Sequence, residues 1–242
     1  MKPLGALDAL AQSVAPRLTD AMPPEERARA VSDYLFEEIG FHGNTDAYYD
    51  PRNSFLNDVL ERRTGIPISL AVVLIEVATR VGLRVEGVGF PGHFLVRVPT
   101  AAGFLLLDPF NGGRPVGEAE LLDRLRTVSG GRTAPPTKVP SALLEATPTV
   151  AILGRMLRNL LHIYIEKPDY PLVVATADLL LIADPHAADV WRTRGLAYLQ
   201  LDCSAAACDD LRRYLELVPD APDAADLRAH VARLARRSPT LH

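Results

Sequence analysis

The sequence predicts an α+β domain, helices packed on a small antiparallel sheet, followed by an all-α region of helical repeats. Three observations predict it. The run Ser69 to Val81 is apolar nearly all round, which marks a helix enclosed by a core rather than lying on a surface. Downstream, Arg84–Gly89, Phe94–Val98 and Phe104–Leu107 read as strands, and Thr100-Ala101-Ala102-Gly103 is short enough to join the last two as an antiparallel hairpin. Beyond a stretch rich in glycine and proline, positions recur at intervals of 34 residues in helical sequence. The 242 residues therefore divide into a first domain over 1–130, a linker over 131–140 and repeats over 141–242.

Taken in order, residues 4–40 read as helices. Pro23 and Pro24 followed by Glu25 and Glu26 form a helix start, because proline suits the first turn and acids suit the positive end of the dipole. Ala30, Val31, Tyr34, Leu35 and Ile39 then recur at helical spacing and face a core. The segment Phe41 to Ser54 is polar, aromatic and turn-forming. Within it Asp50 is placed to cap a helix with Pro51 at its first position. Phe55, Leu56, Val59 and Leu60 form the buried stripe of that helix, and Arg62 and Arg63 end it. Gly82 ends the central apolar helix. Val116–Val128 is a further helix, and Ser129–Pro140 is the linker candidate.

In the second half Pro185 and Pro219 stand 34 residues apart, as do Arg158 and Arg192, and Tyr164 and Tyr198. A helix-turn-helix of that length ending at proline is the tetratricopeptide period. It covers about Val150 to Pro219, with Ala221–Arg236 as a capping helix. Such pairs offer a concave face for a protein or peptide partner, or simply cover an apolar side of the first domain. Arg155, Arg158, Arg192, Arg194, Arg212 and Arg213 either favour an acidic partner or form a solvated charged face.

Composition narrows the function classes. With 48% hydrophobic and 23% charged residues the chain is ordinary globular protein, and its formal charge of −4 argues against nonspecific binding of nucleic acid or anionic membrane. The longest apolar run is too short to cross a bilayer, and the N-terminal stretch lacks the apolar core of a secretory leader. Cys203 and Cys208, five apart, point roughly 140° from each other on a helix. They suit neither a disulfide nor a metal, so a reduced, cytoplasmic protein without metal or cofactor is expected.

Gly87-Val88-Gly89-Phe90-Pro91-Gly92 matches a dinucleotide fingerprint in letters only: that motif must open a helix, and here a strand follows. His93 and Asp108 are the more informative pair. At one end of the predicted hairpin they come within side-chain reach, and an acid beside an imidazole fixes its tautomer. A buried helix just upstream, then His, then Asp, is the layout of a thiol-hydrolase site, but no cysteine stands at the start of that helix.

The blocks Asn53-Ser54-Phe55-Leu56-Asn57, Arg62-Arg63-Thr64-Gly65-Ile66-Pro67-Ile68-Ser69-Leu70, Gly89-Phe90-Pro91-Gly92-His93-Phe94 and Asp108-Pro109-Phe110-Asn111-Gly112-Gly113 closely resemble the SirB1 family of bacterial proteins. The resemblance spans roughly Leu4 to Arg236. It implies a transglutaminase-like, papain-like domain followed by tetratricopeptide repeats. In such domains a cysteine opens the central helix, activated by the helix terminus and a histidine. Carried over by position, His93 and Asp108 match the histidine and the acid. The nucleophile's place falls on Pro67, with Ser69 the nearest hydroxyl. Three readings follow: a non-catalytic protein-binding or scaffold module, a hydrolase or acyltransferase using Ser69, His93 and Asp108, or binding of a small ligand in the vestigial cleft. The resemblance further implies that Tyr48, Tyr49, Asp50, Arg52 and Asn53 wall the cleft around His93.

Overall fold

The computed structural model describes residues 3–130 and 137–237. The chain divides into two units, Met1–Ile152 and Leu153–His242.

In the first unit, α1 (Pro3–Val14) and α2 (Pro24–Asp33) come first, the latter opening with Pro24, Glu25 and Glu26. α2 does not continue as a plain helix. Over Tyr34–Glu38 it widens into a π turn, closed by Ile39 N–H on the Tyr34 carbonyl at 2.9 Å. The widening buries three consecutive side chains, Tyr34, Leu35 and Phe36, which a regular helix would fan over about 200°. β1 (His42–Gly43) pairs in parallel with β2 (Thr64–Gly65), tying the start of the polar loop to the segment just before the central helix. Within that loop Asp50 caps a short 3₁₀ turn, Pro51–Asn53, rather than the helix itself. Phe55 is extended and exposed, and α3 (Leu56–Arg62) starts afterwards with Val59 as its fully buried residue.

α4 (Pro67–Arg80) is the core helix, and it begins two residues earlier than its apolar run suggests. Leu70, Ala71, Val73, Val77 and Ala78 are all fully enclosed. The sheet has the order β3-β4-β5-β6, antiparallel throughout: β3 (Glu86–Val88), β4 (Leu95–Thr100), β5 (Gly103–Asp108) and β6 (Arg114–Pro115). Thr100 pairs with Gly103, so Ala101 and Ala102 make the hairpin turn. α5 (Glu118–Ser129) follows.

Residues 131–136 of the predicted linker lie outside the described residues. Its remainder is not a tether. Val139 is buried and joins Leu143 and Leu144 on a cluster of Val88, Phe90, Leu95, Leu106 and Leu121. Arg97 donates to the Leu144 carbonyl at 3.0 Å, and Thr147 N–H donates to Gly87 O at 2.7 Å. Residues 137–152 therefore complete the first unit, and the division falls past the predicted start of the repeats.

The helices of the second half are α6 (Thr149–Glu166), α7 (Tyr170–Ala183), α8 (Ala188–Gln200), α9 (Ser204–Leu217) and α10 (Ala224–Arg237). Leu160, Leu161, Tyr164, Leu180 and Val190 form one buried cluster, and Cys208, Leu211, Tyr214, Leu227 and Val231 the next. Gly195 lets α9 approach α8: a Cβ there would stand 3.0 Å from Leu211. The period reappears in the ion pairs. Arg158 Nη1 meets Asp189 at 2.7 Å, and one period on Arg192 Nε meets Asp223 at 2.6 Å. Among the described residues no helix is long and apolar enough to cross a membrane.

Candidate functional site

His93 sits in the turn before β4, and Asp108 is the last residue of β5. Their side chains meet: His93 Nε2 lies 2.8 Å from Asp108 Oδ1, with both residues buried. The strand register sets Val96 opposite Leu107, so Asp108 faces the start of β4 and His93 reaches it from the preceding turn.

Asp108 accepts more than this one bond. Oδ1 also accepts from the amides of Phe110 at 3.1 Å and Asn111 at 3.3 Å, capping the 3₁₀ turn Pro109–Asn111. Oδ2 accepts from Asn111 Nδ2 at 2.7 Å and Arg124 Nη2 at 2.6 Å. Burial pushes the carboxyl upward, but the hydrogen bond and charge of His93, with Asn111 and Arg124, outweigh it and hold it below the ordinary carboxylate value. Asp108 is therefore an acceptor only, and the His93 nitrogen facing it is the protonated one. Arg124 lies on α5 and is in turn paired with Glu120, which also holds Arg114. Sequence reasoning missed Arg124. The one available signal was its spacing, four residues after Glu120, which reads equally well as a surface helix pair.

Ser69 takes another role. It is wholly buried at the third position of α4. Its hydroxyl accepts from Ile66 N–H at 3.0 Å and donates to the carbonyls of Asn53 at 2.6 Å and Ile66 at 3.1 Å. One half of a capping box is thus formed. Ile66 has no side-chain acceptor to supply the other half. The hydroxyl closes an otherwise orphaned amide at the helix start and pins the polar loop to it.

The loop residues divide the same way. Asn53 is buried, and its amide donates to Ala47 O at 2.8 Å and Tyr48 O at 3.1 Å while accepting from Asn44 and Arg62. Asp50 caps Arg52 N–H and forms a bidentate pair with the same residue's guanidinium. That hydrogen bond, against burial, lowers the Asp50 carboxyl. Tyr48 and Tyr49 are the exposed members, set edge to face at 5.3 Å. Tyr48 meets Phe110 at 6.1 Å, and Phe110 meets the His93 ring at 6.0 Å, both nearly perpendicular. The loop therefore reaches the His–Asp pair through one aromatic ring. Gly43 makes room for that ring: a Cβ there would stand 2.5 Å from Phe110.

Chemically, the arrangement is a histidine of fixed tautomer backed by a buried carboxylate, with an aromatic face beside it. A general acid–base pair of this kind needs a nucleophile or a bound proton donor to act upon. The hydrogen bonds of Ser69 run to Ile66 and Asn53. The cysteines lie in the second unit, Cys203 exposed and Cys208 buried, both free thiols. Among the described residues no group of three or more His, Cys, Asp or Glu stands at metal-ligand spacing.

In the second unit a groove of about 370 Å³ is lined by Ile165, Tyr170, Thr193, Leu196, Leu199 and Gln200, among others. Arg192 on its lining pairs with Asp223 at 2.6 Å, and other arginines of this unit are likewise engaged by the protein's own acids. Arg194, stacked 4.8 Å over Trp191, bonds Asp210 through two nitrogens at 2.7 Å each and Asp178 at 2.5 Å. The hydrogen bond to Asp210 raises the guanidinium pKa more than burial lowers it. Arg212 pairs with Asp209, and Arg213 with Glu216.

The profile of the transglutaminase-like superfamily matches residues 2–158, and a tetratricopeptide-repeat profile matches residues 160–232. A UPF0162 protein of Xylella fastidiosa is 46% identical over 213 residues, 88% of this chain and 75% of that protein. A UPF0162 protein of Vibrio cholerae is 32% identical over 222 residues, 90% of this chain and 80% of its own length. Protein SirB1 of Salmonella typhimurium is 26% identical over 239 residues, 98% of this chain and 86% of that one.

Proposed function

We propose that this chain, which belongs to the transglutaminase-like superfamily, is a non-catalytic protein-binding or scaffold module whose former catalytic frame serves structure and recognition. The observation that carries the reading is the engagement of Ser69. A serine nucleophile needs its proton directed at a base and its oxygen open to substrate. This hydroxyl directs its proton to backbone carbonyls and its lone pair to a helix amide, in a site closed to solvent. The opposing reading, a hydrolase or acyltransferase, draws support from the intact His93–Asp108 pair. In the proposal that pair holds the end of β5 and the Phe110 ring in place, and Tyr48 and Tyr49 supply the recognition surface beside it. Asp50, Arg52 and Asn53 shape the loop from within.

The repeats supply the second surface. The groove along α8 sets Ile165, Leu196 and Leu199 beside Thr193 and Gln200, and its lining arginine, Arg192, is matched by Asp223, which favours an uncharged amphipathic segment over an acidic one. The first domain is read as extending through the buried residues 137–152, with the repeats following, in a cytoplasmic protein. In-cell photo-crosslinking of the full chain tests the proposal, with a benzophenone amino acid at Leu196, at Tyr49 and, as control, at the exposed Arg29. A discrete protein adduct at Leu196 or Tyr49 that is absent at Arg29 is expected. Equal adducts at all three positions, or none, would contradict it.

A further inference from the structure

The two edges of the four-stranded sheet are treated differently. On the β3 side, Thr147 N–H caps Gly87 O and Thr147 Oγ1 accepts from Gly89 N–H at 2.8 Å. On the β5 side, cover stops short. β6 pairs only with Leu107 and Asp108, Val116 N–H then donates to Leu106 O at 2.9 Å, and the chain turns away into α5.

That last bond fixes which way the β5 backbone points. Groups of one residue leave a strand on one side, and the side alternates along the chain. If Leu106 addresses the β6 side, so does Phe104, while Leu105 addresses β4. Pro99, the partner of Phe104 across the hairpin, has no N–H to offer and is consistent with this. The N–H and C=O of Phe104 therefore face outward at an edge that no described residue pairs, and the residue is exposed. Directly beside this edge lies a groove of about 400 Å³ lined by Phe104, Leu106, Val116, Leu121, Val139 and Leu144. Its two charged lining residues differ. Glu118 accepts from Val139 N–H at 3.1 Å, whereas Lys138 makes no ion pair with any described residue.

We propose that this edge is a strand-addition site for a short extended peptide. The peptide pairs with the Phe104 backbone, sets apolar side chains from alternate residues into the groove, and brings a carboxylate to Lys138. Backbone hydrogen bonds give such a site its affinity, and the alternation of side chains gives its specificity. The charge at Lys138 is what chooses an acidic-flanked strand over a neutral one. This surface is built from residues of the first unit other than those of the His93 frame, and its test does not depend on that frame.

The experiment is a titration of the full, isotope-labelled chain followed by NMR. The probe is an acetylated and amidated hexapeptide alternating valine and threonine with a terminal aspartate. The amides of Phe104, Leu106 and Lys138 are expected to shift saturably. Phe104→Pro removes the outward N–H without touching a β4–β5 ladder bond, and it should weaken binding about tenfold, as loss of one hydrogen bond plus the ring predicts. Lys138→Glu, an exposed change that leaves the edge intact, should weaken it severalfold and restore it for a peptide with lysine in place of aspartate. Three results would overturn the proposal: shifts that map elsewhere or are absent at millimolar peptide, binding unchanged in both variants, or a concentration-dependent dimer using this edge, which would make the occupant a second copy.

Discussion

Replacing Arg124 by methionine removes a cation from a carboxylate that solvent does not reach. Asp108 would keep its bonds from His93, Phe110, Asn111 N–H and Asn111 Nδ2, but lose the 2.6 Å bond on Oδ2. Breaking a fully buried pair costs about 3–5 kcal/mol. Arg124 is partly exposed, however, with 22% of its side chain accessible, so a water can follow it in. The loss should sit nearer the value of one charged hydrogen bond, about 1.5–3 kcal/mol. The only tryptophan, Trp191, lies in the second unit and reports on that unit, not on the sheet. Amide hydrogen exchange is therefore the assay. β5 amides should exchange about ten- to a hundredfold faster at pH 7, while the urea midpoint of Trp191 fluorescence stays put. The pH dependence follows from the depressed carboxyl. Its stabilisation is complete above the unfolded value of about 3.9 and is lost as pH falls through the lower folded value. The gap between variant and parent should thus be full at pH 5–7, begin to narrow near pH 4 and close only below the lower folded value. A gap under about 0.5 kcal/mol at pH 7, within the range of an ordinary surface change, or one that does not vary with pH, would refute the assignment.

Other perturbations test neighbouring parts. Arg194→Met leaves Asp210 buried without its cation and should cost the second unit about 3 kcal/mol or more, read as an earlier Trp191 unfolding midpoint in urea. Ser69→Ala strands the Ile66 amide and the Asn53 carbonyl. It should destabilise the first unit by about 1–3 kcal/mol, visible as faster exchange at the start of α4. Gly43→Ala drives a methyl into Phe110 and should cost about 1–3 kcal/mol by overpacking; the His93 ring proton shifts should move with the displaced ring, and unchanged shifts would contradict the packing described.

The fold was legible where a pattern repeats or where one residue type does one thing. The nearly unbroken apolar run from Leu70 to Val81 marks a core helix, and α4 buries most of it, with Thr79 exposed. The 34-residue spacing survived in Tyr164, Tyr198 and the prolines because each repeat must present the same side chains to its neighbour. His93 and Asp108 were legible as a pair because a hairpin brings their ends together. What escaped notice depends on contacts between distant segments. The π turn at Tyr34–Glu38 leaves no mark in local spacing. Arg124 looks like any surface arginine until α5 is laid against β5. The end of the linker and the start of the predicted repeats carry no mark of the sheet, yet Val139 and Leu144 pack on its cluster. Asp189 and Asp223, one period apart, take their meaning from Arg158 and Arg192, each 31 residues earlier in the chain and two helices back.

The most direct test of the central claim is intact-mass analysis after a fluorophosphonate probe, which labels serines activated as nucleophiles. The full chain is treated alongside Ser69→Ala and His93→Ala. If the hydroxyl serves the helix start and the loop, no adduct forms on Ser69 in the parent under conditions that label a serine hydrolase to completion. A stoichiometric adduct on Ser69 that disappears in both variants would show that the frame still performs chemistry, and the non-catalytic reading would fall.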